Sequence, residues 1–231
     1  MSDVRSREND DLDELDDAAV DAILAADAAL QAPPTQAWRT RTGIEMVISG
    51  FLGLIASFVL SYDALVLAAD PKAKLSCSYN AVLDCAAVAT RWQATVIGDI
   101  PNAFFGIAAE AVVITVAVAI IGGVRFPRWY MLAAQAVYTV GFLFAYWLFY
   151  ESITDIHALC PWCLLITATT TLVWAGLTRL NVREGHIVLP GAAGPWARRF
   201  VASGYDWFVT IGLLFVLVLI ILINYGSKLF A

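Results

Sequence analysis

Charged residues are scarce in this chain. Asp, Glu, Lys and Arg make up 15% of its 231 residues and 60% are hydrophobic, whereas about a quarter of a soluble domain is usually charged. Mean hydropathy is +0.73, and the apolar residues come in long runs, which argues against an ordinary soluble domain and predicts an integral membrane protein. The net charge of −6 gives no sign of a nucleic-acid surface.

Chemically versatile side chains are also few. The chain has four cysteines and two histidines, and no haem, iron–sulfur or flavin motif is visible. The cysteines form two close pairs at the ends of apolar runs, Cys77 with Cys85 (C-x7-C) and Cys160 with Cys163 (C-x2-C). Two such pairs favour redox couples or disulfides over inert buried thiols, although four cysteines also suit a zinc site. The C-x7-C spacing is loose for zinc, so thiol–disulfide exchange is the favoured chemistry.

The negative charge is concentrated at the N-terminus. Ten acidic residues against two arginines give residues 1–27 a charge of −8, so the remaining chain, which brings the total to −6, carries +2. Apolar residues recur at near-helical spacing between Leu12 and Ile23, so a short helix and a solvated tail are the alternatives here, with the tail favoured. The segment lacks the basic start and early apolar core of a cleaved signal peptide.

Five apolar runs approach the ~20 residues that a helix needs to cross ~30 Å of hydrocarbon. They predict an all-α integral membrane fold with helices at roughly residues 44–67, 103–121, 129–150, 160–174 and 208–223. Glu45 and Asp63 lie near the two ends of the first run, where we expect them to reach the membrane interface. Glu110 lies inside the second run, and both a functional carboxylate and one kept neutral or paired by a neighbouring helix are open alternatives.

Positive charges beside the runs predict the orientation, because Lys and Arg accumulate on the cytoplasmic side. One side carries Arg39, Arg41, Arg125, Arg128, Arg179, Arg183, Arg198 and Arg199, and the other carries Lys72, Lys74, Arg91 and Lys228. We therefore expect residues 1–43 to form an acidic cytoplasmic tail. The loop 69–102 and all four cysteines are then extracytoplasmic, where disulfides persist. Five spans would place Ala231 outside as well.

The C-x2-C pair stands at the start of the fourth apolar run. Pro161 suits the first turn of a helix, and the free N–H groups and dipole of a helix N-terminus stabilise a thiolate at Cys160. His157 either strengthens this effect as a cation or is a plain loop residue, with the loop residue favoured. Because the chain shows no other electron acceptor, a dithiol at this position points to a lipid-soluble quinone in an aromatic pocket near Cys163.

Four motifs in this order resemble the vitamin K epoxide reductase family: CSYNAVLDC, Thr90, IPNAFFG and ALCPWC. The resemblance covers residues 44–180 and implies a four-helix catalytic core there, followed by a cytoplasmic loop and a fifth transmembrane helix in 181–231. Bacterial members re-oxidise thioredoxin-fold (DsbA-like) proteins and pass the electrons to a membrane quinone, menaquinone or ubiquinone, which keeps the periplasm oxidising. Because the chain stops at Ala231 without a fused thioredoxin domain, we expect the partner to be a separate protein.

The resemblance also implies a role for each cysteine. The thioredoxin-fold partner would attack Cys77, and Cys85 would pass the electrons to Cys160. Cys163 would then reduce the quinone. The enzyme implied is a quinone-dependent thiol–disulfide oxidoreductase in the plasma membrane.

The resemblance further implies a quinone site. Asn102 would hydrogen-bond a quinone carbonyl, and Phe104 and Phe105 would lie near the ring. Thr90 falls where the family has a serine or threonine that helps to hold the loop. Thr167 stands where the family often has a tyrosine, and its shorter side chain puts the second hydrogen bond to the quinone in doubt.

Two other functions are compatible with these residues. The first is a quinone or quinone-epoxide reductase, which uses the same chemistry but has cofactor reduction as its main task. The second is a membrane scaffold without catalytic activity, held together by structural disulfides. A scaffold predicts disulfides that resist mild reductants, whereas an enzyme predicts that they exchange.

Overall fold

The computed structural model describes residues 18–25, 28–29 and 32–226. From residue 32 onwards the chain forms seven α-helices: α1 (Gln36–Ala69), α2 (Cys85–Ala89), α3 (Asn102–Ile121), α4 (Arg128–Glu151), α5 (Pro161–Arg183), α6 (Ala193–Ala202) and α7 (Asp206–Tyr225). A 3₁₀ turn at Trp92–Thr95 follows α2, and a π turn at Ser152–Ile156 follows α4. The described part of the chain contains two isolated backbone bridges and no β-strand.

Five of these helices, α1, α3, α4, α5 and α7, are long and apolar enough to cross a membrane. The predicted all-α membrane fold is therefore confirmed. Two helices are longer than predicted, since α1 begins at Gln36 and α5 ends at Arg183. Hydropathy misses both extensions because they contain Arg39 and Arg179, whose charges are neutralised only by tertiary ion pairs.

The segment before α1 lies partly outside the described residues. Residues 18–25 are helical and exposed to solvent. Of the two alternatives for the acidic segment, the short helix is thus present over this stretch. Residues 1–17 lie outside the described part.

Helix α6 was not predicted. It has ten residues, too few to cross a membrane, and so it leaves no long apolar run in the sequence. Trp196 and Phe200 stack on each other, with ring centroids 5.2 Å apart, and Phe200 in turn stacks on Tyr205 just before α7. The connection between α5 and α7 is therefore an ordered element with an aromatic face.

Helices α1, α3, α4 and α5 form the bundle, in which α1 packs against both α3 and α5, and α4 packs against α5. Small residues bring the α1 and α3 backbones close together, as is common between membrane helices. A Cβ atom at Gly43 would lie 2.8 Å from the Ile121 side chain, and one at Gly50 would lie 2.9 Å from that of Val113. The core comprises Met46, Val113, Val116, Ala117, Ile120, Met131, Tyr138, Val173, Leu177 and Leu180.

All four cysteines lie at one end of the bundle, which we call the cysteine end. It is formed by the last turn of α1 and the first turns of α3 and α5. Tyr225, at the end of α7, packs there against Val82 and Leu159. Since α3 and α5 both begin at this end, the positive ends of two helix dipoles face it.

Buried ion pairs hold the opposite end together. Arg39 donates to Glu184 over 2.6 Å, which ties α1 to the residue that follows α5. Arg179 donates to Glu45 of α1 over 2.5 Å and to Asp206 of α7, so one arginine joins three helices. Two arginines that the sequence presents as flanking charges therefore stabilise the fold from inside.

Candidate redox site

A backbone bridge brings the two cysteine pairs together. Leu83 and Leu159 form a parallel bridge, in which the Leu159 N–H donates to the Val82 carbonyl over 2.7 Å and the Asp84 N–H donates to the Leu159 carbonyl over 3.0 Å. The residues that follow, Cys85 and Cys160, consequently lie side by side. Sequence patterns did not reveal this pairing, because a bridge of one residue pair leaves no periodicity.

Two polar side chains shape the loop before Cys85. Asn80 Oδ1 accepts hydrogen bonds from the backbone N–H groups of Val82 and Leu83, both at 2.9 Å. Asp84 is the N-cap of α2 and accepts from the N–H of Ala86 over 3.0 Å. Neither residue was among the predicted site residues, although an aspartate just before a short apolar helix is a recognisable cap signal.

The sulfur atoms form a compact group. Cys77 and Cys85 are joined by a disulfide, and Cys160 and Cys163 are free thiols. The Sγ atoms of Cys85 and Cys160 are 3.4 Å apart. Cys77, Cys85 and Cys160 are each at most 3% exposed, so sulfur exchange between the pairs would take place in a dry, apolar cluster.

Cys160 is the N-cap of α5, and Pro161 occupies the first helical position, as predicted. The backbone N–H of Cys163 donates to the Cys160 sulfur over 3.4 Å. Hydrogen bonds from the Cys163 thiol and from the N–H groups of Cys163 and Trp162 lower the pKa of Cys160, against the effect of burial. The helix terminus thus favours a thiolate at the atom that faces Cys85.

Asp63 lies beside the loop disulfide. The expectation that it reaches the membrane interface is wrong, since it is 5% exposed, and its Oδ2 lies 3.6 Å from the Cys77 sulfur. The loop that carries Cys77 folds over the end of α1 and covers it. A polar position near the end of an apolar run does not reveal such a cover.

His157 ends the π turn with a left-handed backbone (φ 59°) and an exposed side chain. Left-handed backbone is uncommon outside glycine, and histidine is among the residues that adopt it more often. The residue thereby redirects the chain towards the bridge at Leu159.

Asn102 begins α3 at the cysteine end, and its Nδ2 donates to the Gln93 carbonyl over 2.7 Å. Gln93 is 2% exposed and donates to the carboxylates of Glu151 and Asp155, both over 3.0 Å. The Asn102 Oδ1 is buried without a hydrogen-bond partner in the described structure. Gln93, which no motif in the sequence marks, couples the Asn102 side chain to the end of α4.

The two threonines of the predicted site bond to their own helices. The Thr90 hydroxyl donates to the Ala86 carbonyl over 2.8 Å and closes the end of α2. The Thr167 hydroxyl donates to the Cys163 carbonyl over 2.9 Å inside α5. Thr90 therefore lies at the end of the short helix that Cys85 begins, whereas Thr167 lies one helical turn after Cys163 in α5.

The predicted aromatic pair lies on the first turn of α3. Phe104 and Phe105 are 38% and 41% exposed, respectively. They lie two and three residues after Asn102 on the helix that starts at the cysteine end.

Glu110 lies in the bundle, away from the cysteines. Tyr138 of α4 donates to its Oε2 over 3.1 Å, and Gly53 of α1 leaves room for it, since a Cβ there would lie 2.6 Å from Oε1. Of the two alternatives for this carboxyl, the contacts fit the one in which a neighbouring helix pairs with it.

Comparison with known proteins gives one match. The family model described as the vitamin K epoxide reductase family matches residues 44–178, more than half of the chain. A search of curated proteins finds no match.

Proposed function

Since the chain belongs to the vitamin K epoxide reductase family, and is thus a membrane redox protein, we propose that it is a quinone-dependent thiol oxidase that supports disulfide formation. In this proposal it re-oxidises a separate thioredoxin-fold (DsbA-like) protein and passes the electrons to menaquinone or ubiquinone. In this proposal residues 44–180 form the catalytic core, residues 1–43 a cytoplasmic segment that includes the first two turns of α1, and residues 181–231 the last residues of α5, a cytoplasmic loop and the fifth helix.

The observation that carries the proposal is the contact of 3.4 Å between the Cys85 and Cys160 sulfur atoms. In the proposed route, a partner thiolate attacks Cys77, and the electron pair of the broken disulfide leaves on Cys85. The Cys85 thiolate then attacks Cys160 of an oxidised Cys160–Cys163 pair, and the electron pair leaves on Cys163. A second thiol of the partner releases Cys77, which closes the loop disulfide again by attacking Cys85. Two electrons and two protons have then moved from the partner to the C-x2-C pair.

The partner must gain access to Cys77, which is 3% exposed. The loop is held by the Asn80 and Asp84 hydrogen bonds and by the bridge to Leu159. We infer that partner binding displaces this loop. An extracytoplasmic location of the cysteine end, supported by the charge bias of the loops, would bring the loop to a soluble partner.

The quinone site is proposed beside Asn102. Its Nδ2 has a second N–H besides the one that donates to Gln93, and its buried Oδ1 lacks a partner, so one amide could donate to a carbonyl or accept from a hydroxyl. Phe104 and Phe105 supply the apolar wall. A bound quinone would accept the two electrons and two protons of the C-x2-C pair. Cys163 lies in the first turn of α5, at the cysteine end of the bundle, as Asn102 does in the first turn of α3.

A direct test uses purified protein, a reduced thioredoxin-fold protein as the thiol donor and a short-chain ubiquinone. We expect thiols and quinone to be consumed in a ratio of two thiols to one quinone, and substitution of any one cysteine by serine to abolish the coupling. Intact partner thiols with wild-type protein would contradict the proposal. Disulfides that also resist dithiothreitol would indicate a scaffold, and turnover of a quinone epoxide with dithiothreitol alone would favour the reductase.

A further inference from the structure

One buried ionisable group touches the sulfur atoms and has no part in the route described above. Asp63 of α1 places its Oδ2 3.6 Å from the Cys77 sulfur. It is 5% exposed, and no ion pair among the described residues includes it. Burying a carboxyl without a cationic partner costs folding free energy. A carboxyl kept at this cost beside a cysteine sulfur is a candidate for a functional role.

The four cysteines differ in what can stabilise their thiolates. Cys160 caps α5 and receives hydrogen bonds from backbone N–H groups. Cys85 is the first residue of α2. Cys77 lies in the loop, buried against Leu67 and Leu75, where desolvation disfavours a thiolate. Of these three cysteines, Cys77 is the one that neither begins nor caps a helix, so its thiolate would gain most from a neighbouring base.

We propose that Asp63 is the acid–base residue of the loop pair, accepting the proton of the Cys77 thiol when the loop disulfide closes and returning it when Cys77 is released. The proposal deepens the proposed function and rests on it. Asp63 is held by α1, and the loop brings Cys77 to it. Among the described residues, Cys160 lies in the same cluster, and a negative charge on Asp63 raises its pKa.

Closure of the loop disulfide moves one proton and one electron pair. Cys85 is first bonded to Cys160, and the Cys77 thiol gives its proton to the Asp63 carboxylate. The Cys77 sulfur attacks the Cys85 sulfur, so the Cys77–Cys85 bond forms and the Cys85–Cys160 bond breaks. The electron pair of the broken bond leaves on the Cys160 sulfur, which α5 stabilises. When the second thiol of the partner later displaces Cys77, the proton returns from Asp63, so the carboxyl is unchanged over a cycle.

The test follows the mixed disulfide between Cys85 and Cys160. Fully reduced protein is oxidised with a short-chain ubiquinone, quenched with N-ethylmaleimide at successive times, and mapped by mass spectrometry. In Asp63→Asn we expect this mixed disulfide to accumulate and loop closure to slow by about 100-fold or more, as general acid–base catalysis contributes 10²–10⁴. Without the carboxylate, the closure rate of this variant should rise with pH, because the Cys77 thiol must then give its proton to hydroxide. Formation of the Cys160–Cys163 disulfide in the same sample shows that the variant is folded.

Two variants serve as controls. Asp63→Glu keeps the carboxyl and should recover much of the closure rate. Asp70→Asn removes an exposed carboxylate at the end of α1 and should close like the wild type. Wild-type closure in Asp63→Asn, or equal slowing in Asp63→Asn and Asp63→Glu, would overturn the proposal.

Two further outcomes are decisive. If Asp63→Asn does not fold, the wild-type closure rate is compared in H₂O and D₂O; proton transfer to Asp63 predicts slower closure in D₂O, and equal rates overturn the role. If the Cys77 and Cys85 thiols of the wild type stay reduced while the quinone oxidises Cys160 and Cys163, the proposed electron route is wrong. That result differs from a working route in which Asp63→Asn closes the loop disulfide at the wild-type rate, which would exclude only the role of Asp63.

Discussion

Single residues at the cysteine end differ in the contacts that they make around the sulfur atoms and Asn102. Cys160 combines the position of a helix N-cap with a donated hydrogen bond from Cys163. Asn102 is oriented by the carbonyl of Gln93. The cysteines and Asn102 could be predicted from their motifs, because their spacing along the chain is diagnostic. Gln93 could not, since its importance comes from partners that lie 58 and 62 residues away along the chain.

The lowered pKa of Cys160 predicts a pH profile. The Cys163 thiol and the backbone N–H groups stabilise the thiolate, so this reactive form persists below the usual thiol pKa of about 8.5. The ultraviolet absorbance of the Cys160 thiolate, taken as the difference between the wild type and Cys160→Ser, should therefore persist as the pH falls below 8.5 and decline only as the pH passes the lowered pKa. Cys163→Ala removes one donor and should move the inflection to higher pH. An inflection at or above that of a free cysteine peptide would refute the assignment.

Asn102 gives a second prediction at this scale. Removing a hydrogen bond in a poorly solvated site costs about 1–3 kcal/mol, which corresponds to roughly 5- to 150-fold in rate. We expect Asn102→Ala to lower quinone turnover by that factor while the thiols still exchange with the partner. Steady-state quinone reduction is measured beside single-turnover thiol exchange. Equal losses in both assays would show that Asn102 acts through Gln93 and the loop rather than on the quinone.

At the scale of helices and loops, close packing of α1 against α3 positions the site. Hydrophobic runs predicted the existence of all five long helices, because twenty apolar residues have few other folded solutions in lipid. They did not predict which helices pack together, because that depends on small residues such as Gly50 and Gly53 meeting a specific partner. The extensions of α1 and α5 were missed for a related reason, since their polar residues are stabilised by tertiary contacts.

Gly53 tests this packing. An added Cβ would lie 2.6 Å from Glu110 Oε1 and 3.0 Å from Thr169 Oγ1, so α1 would be forced away from α3 and α5. Either this movement or a shift of the buried Glu110 side chain, which would disturb its hydrogen bond from Tyr138, should destabilise Gly53→Ala by about 1–3 kcal/mol, measured by unfolding in detergent. Gly141→Ala is the matched control, since its Cβ would meet nothing within 4 Å and alanine favours a helix. Similar stabilities for the two variants would contradict the packing described.

At the scale of the whole molecule, the two ends of the bundle differ in composition. The cysteine end carries all four cysteines, whereas the opposite end carries buried arginines and their carboxylate partners. Arg39 and Arg179 there are buried in ion pairs, so the charge bias used to orient the chain arises partly from residues that hold helices together. The remaining arginines still support a cytoplasmic location for that end.

Exposed positions at the two ends allow the orientation to be measured. Tyr79 at the cysteine end is 73% exposed and Val188 at the opposite end is 70% exposed. In a chain with its four cysteines replaced by serine, a membrane-impermeant maleimide should label Tyr79→Cys in intact cells and Val188→Cys only after lysis. The reverse pattern would invert the proposed topology and remove access of an extracytoplasmic partner.

Disulfide mapping tests whether electrons pass between Cys85 and Cys160. In Cys163→Ser, the Cys160 thiolate attacks Cys85 of the closed loop disulfide, so the Cys85–Cys160 bond forms and Cys77 leaves as a thiolate. Cys163, whose thiol would resolve this bond by attacking Cys160, is absent. We expect a Cys85–Cys160 disulfide when this variant, purified with its loop disulfide closed, is quenched with N-ethylmaleimide, which also traps the released Cys77. Cys160→Ser, which keeps Cys163, should form no such link to the loop. Finding only Cys77–Cys85 in Cys163→Ser, or a link from Cys160 to Cys77 instead, would contradict the account.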